Sequence, residues 1–193
     1  MIVNALLLLF ACDLAIPLPS SVSTAASGVP DCSAGGEMPP ARGCVSGTLA
    51  CGTSVSGTTL GGDSAWDDDF YAKAFCFPSG DKHRGSERVY LLEMPPNMEA
   101  TIYLTSDCVD LDLVALAWVY EGDCPGAGHP VAECEGDAKR AGGSVRVQSF
   151  KSRTYLVGID GKDGAVGPYT LKVDCRELRV PEPDPIPAKK GRR

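Results

Sequence analysis

The residues best able to do chemistry in this 193-residue chain are its nine cysteines. From Cys32 to Cys175 they are irregularly and mostly widely spaced, and none falls in the C-x-x-C pairs that zinc sites favour. A reducing cytosol tolerates few such thiols, and those are usually catalytic or metal-bound. Disulfides in an oxidising compartment are therefore expected. Cys124 and Cys134 border one short Gly/Pro loop, DCPGAGHPVAEC, and are predicted to pair. Cys32 and Cys44 bracket a short lead-in and are assigned a local bond.

The other reactive types are sparse. His83 and His129 are the two histidines, both in Gly/Pro-rich loops and neither in an H-E-x-x-H setting. No G-x-S-x-G elbow and no P-loop is present, so no serine is nominated and the expectation is no enzymatic activity and no cofactor. Asp67, Asp68 and Asp69 lie in a loop, while Asp110 and Asp112 share one face at the start of a strand pattern. Calcium needs about six to eight oxygen ligands, which two such groups would have to supply by meeting. The simpler reading is a solvated turn and an outward strand face, with no metal. Trp66, Trp118 and the tyrosines could stack on sugars, yet Tyr90, Tyr155, Tyr169 and Trp118 sit in core-like patterns. That leaves Trp66 as the aromatic to test. A net charge of −7 argues against a nucleic-acid binder.

The elements that must position these residues read as strands. Thr154–Cys175, TYLVGIDGKDGAVGPYTLKVDC, gives two of them: Tyr155, Val157 and Ile159 face inward on one, and Tyr169, Leu171 and Val173 on the other. Gly161 to Gly164 supply the turn chemistry between them. Val45–Gly62 holds one or two short strands. Asp63–Gly85 is expected to be irregular. Glu87–Glu93 and Ala100–Thr105, joined through Pro95-Pro96-Asn97, suggest a hairpin. Asp110–Tyr120 begins by alternating and becomes apolar on both faces, as in a central strand, although a buried helix gives the same periodicity. Ser144–Phe150 is a further strand. Regular strand spacing without a helical period predicts an all-β sandwich.

The ends are different in texture. Met1–Cys12 is apolar but shorter than the roughly 20 residues a bilayer span takes, and suits a secretory signal. The first basic residue is Arg42, so a basic leader is missing and the start is expected to be misplaced. Leu9-Phe10-Ala11-Cys12 resembles a bacterial lipobox, which would lipidate Cys12; the alternative is ordinary cleavage near Ala25 or Ala26. Either route leaves eight cysteines. Four alternate prolines from Pro181 to Pro187 make Arg176–Arg193 an extended tail ending in Lys189-Lys190-Gly191-Arg192-Arg193. The domains expected are thus a signal over 1–26, a lead-in over 27–47, a sandwich over 48–175 and a tail over 176–193.

Gly52–Gly57 with Thr58-Thr59, Ser79-Gly80 through Glu87-Arg88-Val89-Tyr90, Asp110-Leu111-Asp112-Leu113, TYLVGIDG and GPYTLKVDC follow one another in a familiar order. In that order the chain resembles the bacterial pre-peptidase C-terminal domain, in its cysteine-bearing secreted variety. The resemblance spans Val45–Cys175. It implies a jelly-roll-like antiparallel β-sandwich, stabilised here by disulfides, without catalytic function. It also implies an extracellular or envelope location and, as partner, a protein or a polysaccharide. In such domains the first and last strands are neighbours, which implies a Cys51–Cys175 bond and leaves Cys76 with Cys108. The function expected is that of a secreted or surface-anchored accessory module. The alternative is a structural spacer or dispensable export domain, with the chain a fragment of a secreted peptidase.

Overall fold

In the computed structural model, residues 44–74, 82–120, 133–137 and 142–179 are described, with Cys32 and the positions 125, 128, 129 and 131. The strands are β1 (Val45–Leu49), β2 (Ser54–Thr58), β3 (Arg88–Met94), β4 (Met98–Thr105), β5 (Leu111–Trp118), β6 (Cys134–Asp137), β7 (Gly142–Ser149), β8 (Arg153–Gly161) and β9 (Pro168–Glu177). A single helix among the described residues, α1 (Asp68–Ala74), falls between β2 and β3. One sheet has the order β1-β3-β8-β5-β6 and the other β2-β9-β4-β7. Pairing is antiparallel except between β1 and β3, which run parallel.

The sandwich follows from strand alternation. Tyr155, Val157 and Ile159 of β8 meet Leu111, Leu113 and Ala115 of β5 in the space between the sheets. Ala100, Ile102 and Leu104 of β4 and Tyr169, Leu171 and Val173 of β9 close it from the other side. Removing that much apolar surface from water is the main favourable term in the fold. Deep in this core the Tyr90 and Tyr169 hydroxyls satisfy each other at 2.6 Å, so neither phenol is left without a partner. The Asp110–Tyr120 segment forms a strand over Leu111–Trp118, an interior one between β8 and β6, covered on both faces.

The chain changes sheet at nearly every connection, which makes the architecture jelly-roll-like rather than a stack of hairpins. The expected hairpin of Glu87–Glu93 with Ala100–Thr105 does not form: β3 and β4 belong to different sheets. Pro95 and Pro96 between them have no N–H for a ladder, and Asn97 sits at φ 57°, a left-handed value that asparagine accepts more readily than most residues. The connection therefore steers the chain across the core instead of back along its own sheet.

Disulfides join Cys51 to Cys175 and Cys32 to Cys108, with Cα separations of 5.4 and 5.3 Å. Cys32 is thus not bonded to Cys44, nor Cys108 to Cys76. Closing the loop to Cys108 instead of the much shorter one to Cys44 costs only roughly 1.6 kcal/mol of extra loop entropy, so tertiary placement overrides nearness in sequence. Cys44 and Cys134 are also disulfide-bonded. Cys12, Cys76 and Cys124 lie outside the described residues, as do the expected signal, the lipidation site and the end of the tail.

Candidate functional site

The two sheets treat their outer faces differently, and each difference begins in local sequence. Asp67 caps α1: its Oδ1 accepts the Phe70 N–H at 2.9 Å and its carbonyl accepts the Tyr71 N–H at 3.1 Å. Asp68 and Asp69 then occupy the first turn and Lys73 the last, both favourable with the helix dipole. The helix lies in the segment expected to be irregular; seven residues are too few to display a period. Its Phe70 and Tyr71, with Trp66 ahead of it, pack on Val89, Val114, Leu116 and Leu156, the outer side of the five-stranded sheet. Gly158 of β8 lets Trp66 lie this close, because a Cβ there would land on the indole ring.

Beneath this cover lies a cluster of ionisable groups. Asp112 and Asp160 are directly opposed on β5 and β8. Both are shut away from water, at 0% and 1% exposure. Asp160 Oδ2 accepts from the Tyr71 hydroxyl at 2.7 Å, and its Oδ1 from the Gly161 N–H at 2.6 Å. Asp112 Oδ2 lies 2.8 Å from His83 Nε2. The His83 and Tyr71 rings meet at a tilt, with centroids 4.5 Å apart. Glu87, at the head of β3, accepts the Ala65 N–H at 2.7 Å. Bridges between Asp63 and Glu87 and between His83 and Lys162 tie the covering segment to the sheet.

Burial dominates the electrostatics here. It pushes the Asp160 carboxyl up to about 7, against the Tyr71 hydrogen bond and the His83 charge, which favour the ion. Burial also raises Glu87, and raises the Tyr71 phenol well above its ordinary value, with Asp160 adding to the effect. Asp112 Oδ1 and Glu87 Oε2 face no protein donor. Among the described residues both aspartates of the cluster are closed to water.

The outer face of the four-stranded sheet is open. Tyr103 of β4 stands there, 40% exposed, with Lys172 5.9 Å above its ring. Its cross-strand neighbours are Lys172 on β9 and Ser144 on β7. Around it lie hydroxyls; those of Ser56 and Thr170 share a hydrogen bond of 2.9 Å. The charges of this face are matched internally. Lys172 contacts Asp174 at 2.8 Å, while Arg176 and Arg146 approach Glu99 at 2.7 and 3.6 Å. The Arg176 hydrogen bond, then that of Gln148, holds the Glu99 carboxyl below its ordinary range.

Set against the sequence, the site residues sort clearly. Trp66, taken as the aromatic to test for sugar binding, is buried at 2%, because the helix and the glycine beneath it enclose the ring. Asp112, read as part of an outward, solvated face, is buried for the same reason, and His83 joins it. Asp67, Asp68 and Asp69 are exposed at the start of α1, not beside Asp110 and Asp112. His129 packs at a tilt against Trp118 and edge-on to Tyr120, at centroid distances of 5.4 and 4.9 Å. Among the described residues no group of His, Cys, Asp or Glu is arranged to hold a metal ion. Sequence reasoning passed over Tyr71, Asp160 and Tyr103. A signal for the first two did exist: the outer positions Val114, Leu116 and Trp118 are apolar, which requires a cover.

No protein-family model and no curated protein matches the chain. Solved structures similar to it include PliG of Aeromonas hydrophila, a periplasmic inhibitor of g-type lysozyme. There the TM-score is 0.40 at 12% identity, over 67% of this chain and 94% of that one. CorA, a surface-associated copper-binding protein of Methylomicrobium album BG8, is similar at TM-score 0.41 and 10% identity, over 68% and 98%. As the order of its motifs implies, the chain is also similar to the pre-peptidase C-terminal domain of a collagenase from Bacillus anthracis, with a TM-score of 0.41 and 17% identity over 66% of this chain and 94% of that domain.

Proposed function

We propose that this chain is a non-catalytic accessory module working outside the cytoplasm, which contacts a protein or a polysaccharide through the outer face of its four-stranded sheet. The observation that carries this reading is the open face itself. Among the described residues a broad antiparallel surface is left uncovered, with an exposed tyrosine among hydroxyls and its charges paired with one another. Aromatic rings and hydroxyls suit a neutral, hydroxyl-bearing ligand such as a glycan, whose desolvation is less costly than that of an ion. The disulfides fit an oxidising compartment. Among the described residues no helix is long and apolar enough to cross a membrane. The His–Asp and Tyr–Asp pairs, sealed beneath α1, are unsuited to turnover.

The test is a glycan array together with an affinity capture from extracellular material, using the full chain and Tyr103→Ala. Binding by the full chain that is lost in Tyr103→Ala is expected. Binding unchanged in that variant would move the contact to another surface. Absence of binding in both assays would favour the structural spacer.

A further inference from the structure

We propose that the opposed Asp112–Asp160 pair is a proton-operated latch that holds α1 against the five-stranded sheet, closed while Asp160 is protonated and loosened when it ionises. Opposed residues of an antiparallel pair have Cβ atoms about 5 Å apart, and like charges there repel. Both carboxyls are buried, so neither charge is relieved by water while the cover is in place.

Each carboxyl is held by a different part of the covering segment: Asp160 by Tyr71 of α1, and Asp112 by His83 beyond it. The two parts are themselves joined, since the His83 N–H donates to Asp68 Oδ1 at 3.1 Å. The groups facing the pair are Tyr71 from α1, His83 from the following segment and Glu87 from the head of β3. Asp110 and Lys162 flank the same two strands, with the Lys162 N–H directed at the Asp110 carbonyl. His83 Nε2 contacts Asp112, whereas Asp160 accepts from the neutral Tyr71 hydroxyl and the Gly161 N–H. Lifting α1 would admit water to Asp160, and that is the relief available to its charge.

The direction follows from linkage. The closed form binds the Asp160 proton more tightly than an open, hydrated form would, since burial lifts this carboxyl from 3.8 to about 7. The preference for the closed form is therefore complete below the ordinary carboxylate value. It declines tenfold per pH unit, roughly a thousandfold in all, as pH rises to about 7, and is level above that. Glu87 is raised too and acts with the same sign. The conservative variant Asp160→Asn keeps an acceptor for Tyr71 and removes the charge.

Amide hydrogen exchange read by NMR on the full chain tests the latch. The Phe70 and Tyr71 amides report on α1, and the Ile102 amide on the opposite sheet. Corrected for intrinsic chemical exchange, the protection of Phe70 and Tyr71 should fall with rising pH towards 7 in the native protein and fall much less in Asp160→Asn, where only Glu87 remains to titrate. Ile102, which opens only with the whole fold, should stay more protected than both at every pH. An identical slope in the variant, no slope in either protein, or protection at Ile102 no higher than at Tyr71 would overturn the proposal. The last of these would mean global unfolding rather than release of one helix. Should Asp160→Asn not fold, titration of the native Asp160 carboxyl carbon decides. A midpoint near 7, with the α1 amide shifts moving in step, supports the latch. A midpoint in the ordinary carboxylate range, or α1 shifts that stay still, overturns it.

Discussion

The two outer faces of this sandwich begin from the same strand alternation and end in opposite conditions. Asp112 and Asp160 alternate with Leu111, Leu113 and Ile159 just as Lys172 and Asp174 alternate with Leu171 and Val173. The first pair is sealed under α1, whereas the second forms a 2.8 Å ion pair at the surface. Alternation decides which side chains leave the inter-sheet core. It does not decide whether a further layer waits outside. Carboxyls under such a layer become proton-holding groups, while those in water are matched by Lys and Arg and gain little from it.

That comparison can be broken first at what the two faces share. Cys51 and Cys175 staple β9 to the chain ahead of β2, and replacing both with serine should cost up to about 5 kcal/mol on the chain-entropy estimate. Urea unfolding followed by far-UV circular dichroism measures it. A loss below about 1 kcal/mol would mean that the strand ladder and core packing alone hold β2 on β9.

Next is the opposite response of the faces to pH. For Asp160 the folded value is raised, so its stabilisation is present below the ordinary carboxylate value and is lost as pH rises through about 7. The full swing is roughly 4 kcal/mol at about 1.4 kcal/mol per unit. For Glu99 the folded value is lowered, so its contribution is present above the ordinary carboxylate value and lost as pH falls through the lowered one. Denaturant melts across pH 3–9 should show Asp160→Asn removing a neutral-side slope and Glu99→Gln only a slight acid-side one. Slopes of the same sign would contradict the contrast between the faces.

The cover itself can then be thinned. Phe70→Ala deletes a ring that is 1% exposed and should destabilise by about 3 kcal/mol. The tryptophan emission should shift to the red as Trp66 becomes wet. Gly158→Ala places a methyl against the Trp66 ring and should cost about 2 kcal/mol by overpacking. An unshifted emission spectrum in both variants would show that α1 does not depend on these contacts.

The smallest effect on stability is expected from the open face. Tyr103→Ala should change the unfolding free energy by less than about 0.5 kcal/mol while abolishing ligand capture. A large destabilisation would show that the ring is needed for packing and is not free for a ligand.

What the sequence determined by itself is the material of the sandwich. Tyr155, Val157, Ile159, Tyr169, Leu171 and Val173 announce their inward faces because a period of two is a local property, fixed by backbone geometry at each residue. The doubly apolar stretch from Val114 to Trp118 even announces a covered face. The identity of the cover was not legible. α1 is too short to show a period, and its capping aspartate reads like a turn. Which strands share a sheet was not legible either, since β3 and β4 alternate identically whether they form a hairpin or cross the core. The partner of Cys32 was settled by where Cys108 comes to rest, because loop entropy varies too slowly with length to enforce the nearest choice. Only tertiary structure could bring Tyr71, His83, Asp112 and Asp160 together. Their meeting depends on contacts 29 to 89 residues apart, and nothing local in the chain records them.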